Sequence, residues 1–180
     1  MVRAFVAIGS NIDPAANLRS AVNLLARRLA VTRLSTVYRT EPEGRPKQRQ
    51  FYNCVVEVRT DLPPLDLKFQ VLRQIETQLK RQRTSDIYAP RTIDLDLILY
   101  GDLVLAADGL VLPDPDIVRR FFLAAPLAEL EPDLILPGSD IRISALAARL
   151  PRNKARALHS YTAQLRQELL RRNSFDSTQA

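Results

Sequence analysis

Glycine is scarce in this chain: five residues among 180, at positions 9, 44, 101, 109 and 138. That spacing permits neither a GxGxxG turn nor a GxxxxGK loop, so a phosphate cradled by the backbone of a glycine-rich loop is excluded. Histidine and cysteine are rarer still, with one of each. His159 stands near the C-terminus, and no Ser/His/Asp or Cys/His set can be assembled, which argues against histidine catalysis and histidine-based zinc. Cys54 lies inside the apolar run FYNCVVEV and reads as a core thiol, in keeping with a reducing cytoplasm. No apolar run approaches the roughly 20 residues that a membrane-spanning helix needs, and MVRAFVAIGSN has no signal-peptide architecture. A soluble, cytoplasmic protein without a membrane partner is expected.

The net charge of +6 invites a nucleic-acid reading, but its placement weakens it. Residues Pro151–Ala180 carry six basic residues against two acidic ones, so four of the six net charges belong to the tail. The arginine-rich stretch KRQRTSDIYAPR has no interleaved aromatic run for stacking bases, and its cations suit a local anion as well as a nucleic-acid stripe. No nucleic-acid partner is expected.

Periodicity divides the chain into alternating elements. Val2–Ile8 reads as a strand ending in the turn Gly9-Ser10-Asn11. Asp13-Pro14 then caps a helix whose apolar stripe is Leu18, Val22, Leu25 and Leu29. Val31–Tyr38 and Phe51–Arg59 read as strands flanking the polar loop TEPEGRPKQRQ. A helix follows Pro63-Pro64 with Leu65, Lys68, Leu72, Ile75 and Leu79 on one face. Thr92–Tyr100 is a strand, with Gly101-Asp102 as a hairpin turn into Leu103–Leu105, and Phe121–Leu130 is helical. This order implies an α+β sandwich, helices on one face of a mainly antiparallel sheet and loops on the other. Residues 1–150 are expected to form one catalytic domain. Residues 151–180 form a basic extension with Tyr161, Leu165 and Leu169 at helical spacing, docking on its own body or on a partner. A monomer is expected, with a tail-mediated dimer as the alternative.

The stretch APRTIDLDLILYG, residues 89–101, carries the chemistry. A strand alternates its side chains, so Asp94 and Asp96 share one face while Leu95, Leu97 and Leu99 point to the other. Two carboxylates about 6.6 Å apart along a strand can lean together on cations that also hold substrate phosphates. A solvated or salt-bridged pair is the alternative. Arg81, Arg83 and Arg91 precede them, and guanidinium groups grip phosphate in bidentate fashion. Carboxylates for metal beside arginines for phosphate are the equipment of phosphoryl transfer.

The segment Tyr88-Ala89-Pro90-Arg91-Thr92-Ile93-Asp94-Leu95-Asp96-Leu97-Ile98 resembles the signature of the 6-hydroxymethyl-7,8-dihydropterin pyrophosphokinase family of folate biosynthesis. Further blocks resemble it in order: Ala7-Ile8-Gly9-Ser10-Asn11, Tyr38-Arg39-Thr40-Glu41-Pro42, Phe51-Tyr52-Asn53, Leu112-Pro113-Asp114-Pro115-Asp116, Arg120, Phe122 and Pro126-Leu127. The resemblance implies a ferredoxin-like fold, ATP and two magnesium ions, and transfer of an intact diphosphate to the pterin hydroxymethyl group, leaving AMP. It implies that Asp94 and Asp96 bridge the metals and that Arg81 and Arg91 hold the triphosphate, with Arg83 and Arg120 assisting. It places Arg73, Glu76 and Leu97 on the nucleotide side, where Asp114, a departure from the family pattern, could add metal or ribose interactions, and Thr40, Pro42, Phe51, Asn53, Tyr88 and Phe122 on the pterin side. Phe51 and Asn53 share a strand face, as a flat heterocycle that stacks and hydrogen-bonds would require. Gly109, Val111, Asp114 and Glu43 depart from the family pattern and bear on nucleotide contacts and substrate preference. All these blocks precede residue 130, so the tail is expected to be dispensable for the chemistry.

Overall fold

The computed structural model describes residues 1–176 other than Glu43, Arg45, Pro46, Ile87 and Asp108, with side chains described as far as Arg172. Alternating apolar residues build β1 (Val2–Ser10) and β4 (Phe51–Thr60), which pair antiparallel over their whole length from Val2↔Thr60 to Ser10↔Tyr52. On the other side of β1 lies β5 (Asp94–Tyr100), also antiparallel, and it forms one edge of the sheet. Beyond β4 come β2 (Ala30–Leu34) and β3 (Tyr38–Thr40), which occupy successive stretches of the same partner. The single strand expected over Val31–Tyr38 is thus interrupted. Ser35 causes the break: its amide donates to Val55 O at 2.9 Å, while its hydroxyl accepts from Val55 N at 2.9 Å, replacing a backbone carbonyl in the ladder.

The first helix, α1 (Pro14–Ala26), buries Leu18, Val22 and Leu25 as its spacing predicts. Asp13 is not its side-chain cap: it adopts φ 41° and makes no capping hydrogen bond. The second helical segment runs through α2 (Pro64–Asp66), a π-helical stretch Leu67–Leu72, and α3 (Arg73–Gln78). The wider π turn shifts the expected stripe, so that Leu67 and Val71 are buried and Lys68 instead reaches Gly109 O at 2.8 Å. Together with α6 (His159–Asp176), these helices cover one face of the sheet in a core containing Ile8, Leu18, Leu25, Leu72, Ile75, Leu95 and Leu97.

The opposite face is not left to loops alone. α4 (Phe121–Leu130) and α5 (Ile143–Arg149) pack there around Phe5, Val55, Ile98 and Leu99 in a second core. Leu99 was expected on the face of Leu95 and Leu97, and a β-bulge moves it. The register runs Val6↔Leu97 but Phe5↔Leu99, so Ile98 is an extra residue and the side chains beyond it change faces. Gly101 turns the chain at φ 51°, but Leu103 does not return along β5. β6 (Leu105–Ala107) pairs instead with β7 (Leu110–Leu112), a separate two-stranded ribbon.

The C-terminal segment belongs to this framework. β8 (Arg156–Ala157) adds to the free side of β3, and Thr162, Leu165 and Leu169 of α6 are buried at 2, 1 and 6% exposure. Among the described residues, no helix is long and apolar enough to cross a membrane.

Candidate active site

The ends of β1, β4 and β5 open onto one cleft of about 260 Å³, whose lining includes Gly9, Thr40, Phe51, Asn53, Tyr88, Arg91, Asp94, Asp96, Asp114, Arg120 and Phe122. That is at the small end of ligand pockets, so one flat molecule can be enclosed while a second lies across the mouth. On the heterocycle side, Asn53 Nδ2 donates to Thr40 Oγ1 at 2.8 Å, and both residues are buried at 7% exposure. Gly9, opposite Asn53 in the register, is required by this arrangement: a Cβ there would stand 2.9 Å from Asn53 Oδ1. Phe51 and Phe122 bracket the pocket, with the Arg91 guanidinium 5.8 Å from the Phe51 ring centre and that of Arg120 5.6 Å from Phe122. Tyr88, 45% exposed, stands at the rim. Pro42 is buried beside Thr40 but does not line the cleft, and Glu43 lies outside the described residues.

Asp94 and Asp96 emerge on one face, as strand alternation demands, on the cleft side of β5. Asp94 accepts from the Arg91 guanidinium and lies 3.7 Å from Arg81 Nη2. Asp96 faces solvent within the cleft and yet is hemmed in by protein. Desolvation, followed by repulsion from Asp94, Asp114 and Glu76, pushes its carboxyl up to about 7. The cleft lining holds five carboxylates, Glu41, Asp94, Asp96, Asp114 and Asp116, against the two guanidiniums of Arg91 and Arg120. Burial also pushes Asp114 up, although its Oδ1 accepts from Asp116 N at 2.8 Å and caps the 3-10 turn Pro115–Val118.

The arginines separate by task. Arg81 is mostly buried, and desolvation lowers its pKa despite Asp94 nearby. Its Nε and Nη1 are buried without a hydrogen-bond acceptor among the described residues. A guanidinium is rarely left so, and donors of this kind suit an anion or an ordered water. Arg83 is held by Glu76 at 2.5 Å. Glu76 itself is buried at 2%, and its other oxygen accepts from Leu95 N at 3.0 Å, so it ties α3 to the outer edge of β5 rather than lining the cleft. Arg73 lies outside the cleft too, its guanidinium 5.6 Å from the exposed Phe69 ring. Leu97 sits with its side chain in the main core, which leaves only its backbone on the β5 edge to meet a nucleotide. Cys54 is buried at 1%, and burial pushes its thiol pKa up, as a core thiol requires.

Sequence reasoning passed over Asn11, which joins the two long loops. Its Oδ1 accepts from Arg91 N at 2.7 Å, its backbone N donates to Arg91 O at 3.1 Å, and its Nδ2 reaches Gln48 Oε1 at 3.4 Å. Gln48 in turn donates to Tyr88 O at 2.8 Å. The signal available was an asparagine at the end of a buried strand, in a turn where a buried amide must find partners. Asp116 was legible as well, since Asp114-Pro115-Asp116 repeats the spacing of Asp94 and Asp96.

Comparison with known proteins agrees with this geometry. Residues 5–132 match the family model described as 7,8-dihydro-6-hydroxymethylpterin-pyrophosphokinase (HPPK). The 2-amino-4-hydroxy-6-hydroxymethyldihydropteridine pyrophosphokinase of Bacillus subtilis is 42% identical over 130 residues, covering 71% of this chain and 77% of that one. The enzyme of the same name from Haemophilus influenzae is 35% identical, covering 78% and 89%. Among solved structures, the wild-type HPPK-DHPS of Plasmodium falciparum with pteroate aligns with a TM-score of 0.69 at 14% identity, over 82% of this chain and 44% of that one. This chain spans less than half of that protein, and the likeness at such identity speaks to the fold alone. The sequence match over most of the chain decides the matter: the protein belongs to the 7,8-dihydro-6-hydroxymethylpterin-pyrophosphokinase family.

Proposed function

We infer that this pyrophosphokinase transfers diphosphate from ATP to the hydroxymethyl group of 6-hydroxymethyl-7,8-dihydropterin, releasing AMP, with Asp94 and Asp96 as the metal carboxylates. The observation that carries the inference is the charge imbalance of the cleft. Five carboxylates against two guanidiniums in the cleft lining would repel a polyphosphate, and desolvation, followed by repulsion from Asp94, Asp114 and Glu76, raises Asp96 to about 7. Among the described residues no group of three or more His, Cys, Asp or Glu is arranged to hold a metal ion. That suits magnesium, which is commonly held by one or two carboxylates plus waters and substrate phosphates. Two ions are what the resemblance to the family implies, and Asp94 and Asp96, lining the same cleft, could share them. Bound there, magnesium would neutralise the polyphosphate and polarise the phosphorus under attack.

The remaining work falls to the chain's own residues. Asn53, fixed by Thr40, presents its amide to the polar edge of the heterocycle, while Phe122 and Tyr88 supply aromatic faces. The pterin hydroxyl is thereby aimed at the β-phosphorus. Arg91 and Arg81 exchange Asp94 for phosphate oxygens, and Arg81 Nε and Nη1 gain the acceptors they lack. As the bond from the β-phosphorus to the bridging oxygen breaks, these guanidiniums offset the charge that develops on AMP. Arg120, ion-paired to Asp116 at 2.8 Å, assists from the cleft wall, and Arg83, held by Glu76, from outside it. Arg73 and the backbone of Leu97 border the strip where the nucleotide lies, with Asp114 facing it from the opposite wall. Burial of Leu165 and Leu169 within the chain's own core supports a monomer.

The test is the product of ATP cleavage. Incubation with ATP, magnesium and 6-hydroxymethyl-7,8-dihydropterin should give AMP and pterin diphosphate in equal amounts, with little AMP when pterin is omitted. ADP as the main nucleotide product would refute the mechanism.

A further inference from the structure

The family match ends at residue 132, yet the wall that carries Thr40 is held from beyond it. The strap from Leu34 to Thr40 lies between β4 and the C-terminal segment. On its inner side Tyr38 pairs with Asn53 and Thr40 with Phe51. On its outer side residues 156–166 meet the backbone of Leu34, Val37, Tyr38 and Arg39, while Glu129 of α4 accepts from Thr36 N at 2.7 Å and from the Tyr38 hydroxyl. Arg166 Nε donates to Leu34 O at 2.9 Å, and Leu158 N donates to Val37 O at 2.8 Å. Tyr38 and Arg39 pair with Ala157 and Arg156. Val37 N donates to Thr162 Oγ1 at 2.9 Å, and that hydroxyl donates to Leu158 O at 2.9 Å. Val37 is fully buried and Thr162 is 2% exposed, so water cannot replace this bond.

The same segment backs the opposite wall. The Arg152 guanidinium lies 5.7 Å from the Phe121 ring centre, Phe121 meets Tyr38 edge to face at 5.8 Å, and the next residue is Phe122 of the cleft. We propose that Thr162 is a positioning residue for the heterocycle: through Val37 it fixes β3, and so sets where Thr40 holds Asn53. The proposal rests on the reading that Thr40 and Asn53 receive the pterin. It gives the C-terminal extension a part in substrate specificity, where sequence order alone made it look dispensable. Among the described residues of the segment none bonds Asp94 or Asp96, so its influence is confined to one of the two substrates.

The experiment compares Thr162→Val, which keeps the shape but neither donates nor accepts, with Thr162→Ser, which restores the hydroxyl. In steady-state kinetics Thr162→Val should raise the KM for 6-hydroxymethyl-7,8-dihydropterin about tenfold, the equivalent of one lost hydrogen bond, with the KM for ATP changed less than about twofold. Thr162→Ser should return both to the unaltered values. A second readout needs no substrate: in the ligand-free protein, amide exchange over residues 38–40 should quicken in Thr162→Val while β1 and β5 keep their protection. Should Thr162→Val fail to accumulate, Arg166→Leu removes the bond to Leu34 O from an exposed position and should show the same pattern at smaller amplitude. Equal rises in both KM values, exchange quickened uniformly across the sheet, or exchange unchanged at residues 38–40 would each overturn the proposal. Absence of pterin-dependent turnover in the unaltered protein would refute the proposed reaction and leave the exchange result to judge the clamp on its own.

Discussion

Two charged clusters occupy the same side of this sheet and are built to opposite rules. In the first, Arg33 bonds Glu57, Glu131 and the carbonyl of Leu130, and Arg3 closes the set on Glu131 at 3.0 Å. Two cations meet two anions. Burial pushes Glu131 up, but hydrogen bonds from Arg33 and Arg3 more than offset this and hold it below the ordinary carboxylate value. In the second, around Asp94 and Asp96, anions outnumber cations, Asp96 is raised, and Arg81 has buried donors with no acceptor among the described residues. The first cluster is complete in the protein alone and fastens strand to helix. On the proposed reading the second is completed by a polyphosphate and its cations, and its imbalance is what marks it as a candidate site.

The sharpest way to break this contrast is to neutralise one carboxylate of the second cluster. Asp94→Asn or Asp96→Asn should lower turnover by about 10³-fold or more, because one charge facing the metals is lost at the moment of transfer. Thermal unfolding of ligand-free Asp96→Asn should occur at a temperature no lower than that of the unaltered protein, since repulsion is relieved. Near-normal turnover at saturating magnesium would remove the two-metal reading. Next in size, Arg81→Lys keeps the charge but loses the planar fork, and kcat should fall about 10²-fold with the fold intact. Equal activity would mean that Arg81 serves Asp94 alone.

The closed cluster should answer differently. Arg33→Met strands the buried Glu57 carboxylate and should cost about 2 kcal/mol in denaturant unfolding, below the range for wholly buried pairs because Arg33 is 41% exposed. Turnover per folded molecule should stay within about twofold. A large loss of activity at unchanged stability would erase the distinction between the clusters.

Acidity probes the second cluster more gently. Asp96 has a folded value of about 7 against an ordinary 3.8, so the ligand-free fold is favoured by its protonated form and loses that contribution as pH rises through 7. Magnesium and ATP must displace the proton. Their stabilisation of the protein, read as a shift in Tm, should therefore be larger at pH 8 than at pH 6, and a shift independent of pH would contradict the crowded-carboxylate account. The smallest expected effect is in dynamics. Gln48 bonds Tyr88 O at 2.8 Å, so amide exchange in both loops, residues 41–50 and 81–91, should slow together when the two substrates are added. Protection of one loop without the other would show that this link does not couple them.

Much of the second cluster was legible in the sequence because strand alternation alone places Asp94 and Asp96 on one face, and a three-residue arginine set stands just before them. The first cluster was not legible. Arg33, Glu57 and Glu131 are far apart in the chain, and nothing local distinguishes a charge that will be paired from one that will be solvated. The helices and most strands follow from spacing, whereas three departures came from groups that substitute for backbone regularity. Ser35 replaces a carbonyl in the ladder, an extra residue at Ile98 turns Leu99 to the other core, and a π turn exchanges Lys68 for Val71. Each is a one-residue adjustment invisible to periodicity. Glu76 was assigned to the nucleotide by resemblance, while its burial and its bonds to Leu95 N and Arg83 give it a task in the framework.

That task has a bearing on whether another chain can pair with the edge of the sheet. The reactive strand β5 is an outermost strand, and a bare outermost strand offers its row of peptide groups to any other chain that can lie alongside. Here the row is already engaged: Glu76 takes the amide of Leu95, and the amide of Asp114 takes the carbonyl of Ile98 at 2.9 Å. A carboxylate and a turn thus act as stoppers on the stretch of edge that the proposed function leaves open for ATP. Removing the stopper, as in Glu76→Ala, would free the peptide edge of β5 and turn it into a template for aggregation.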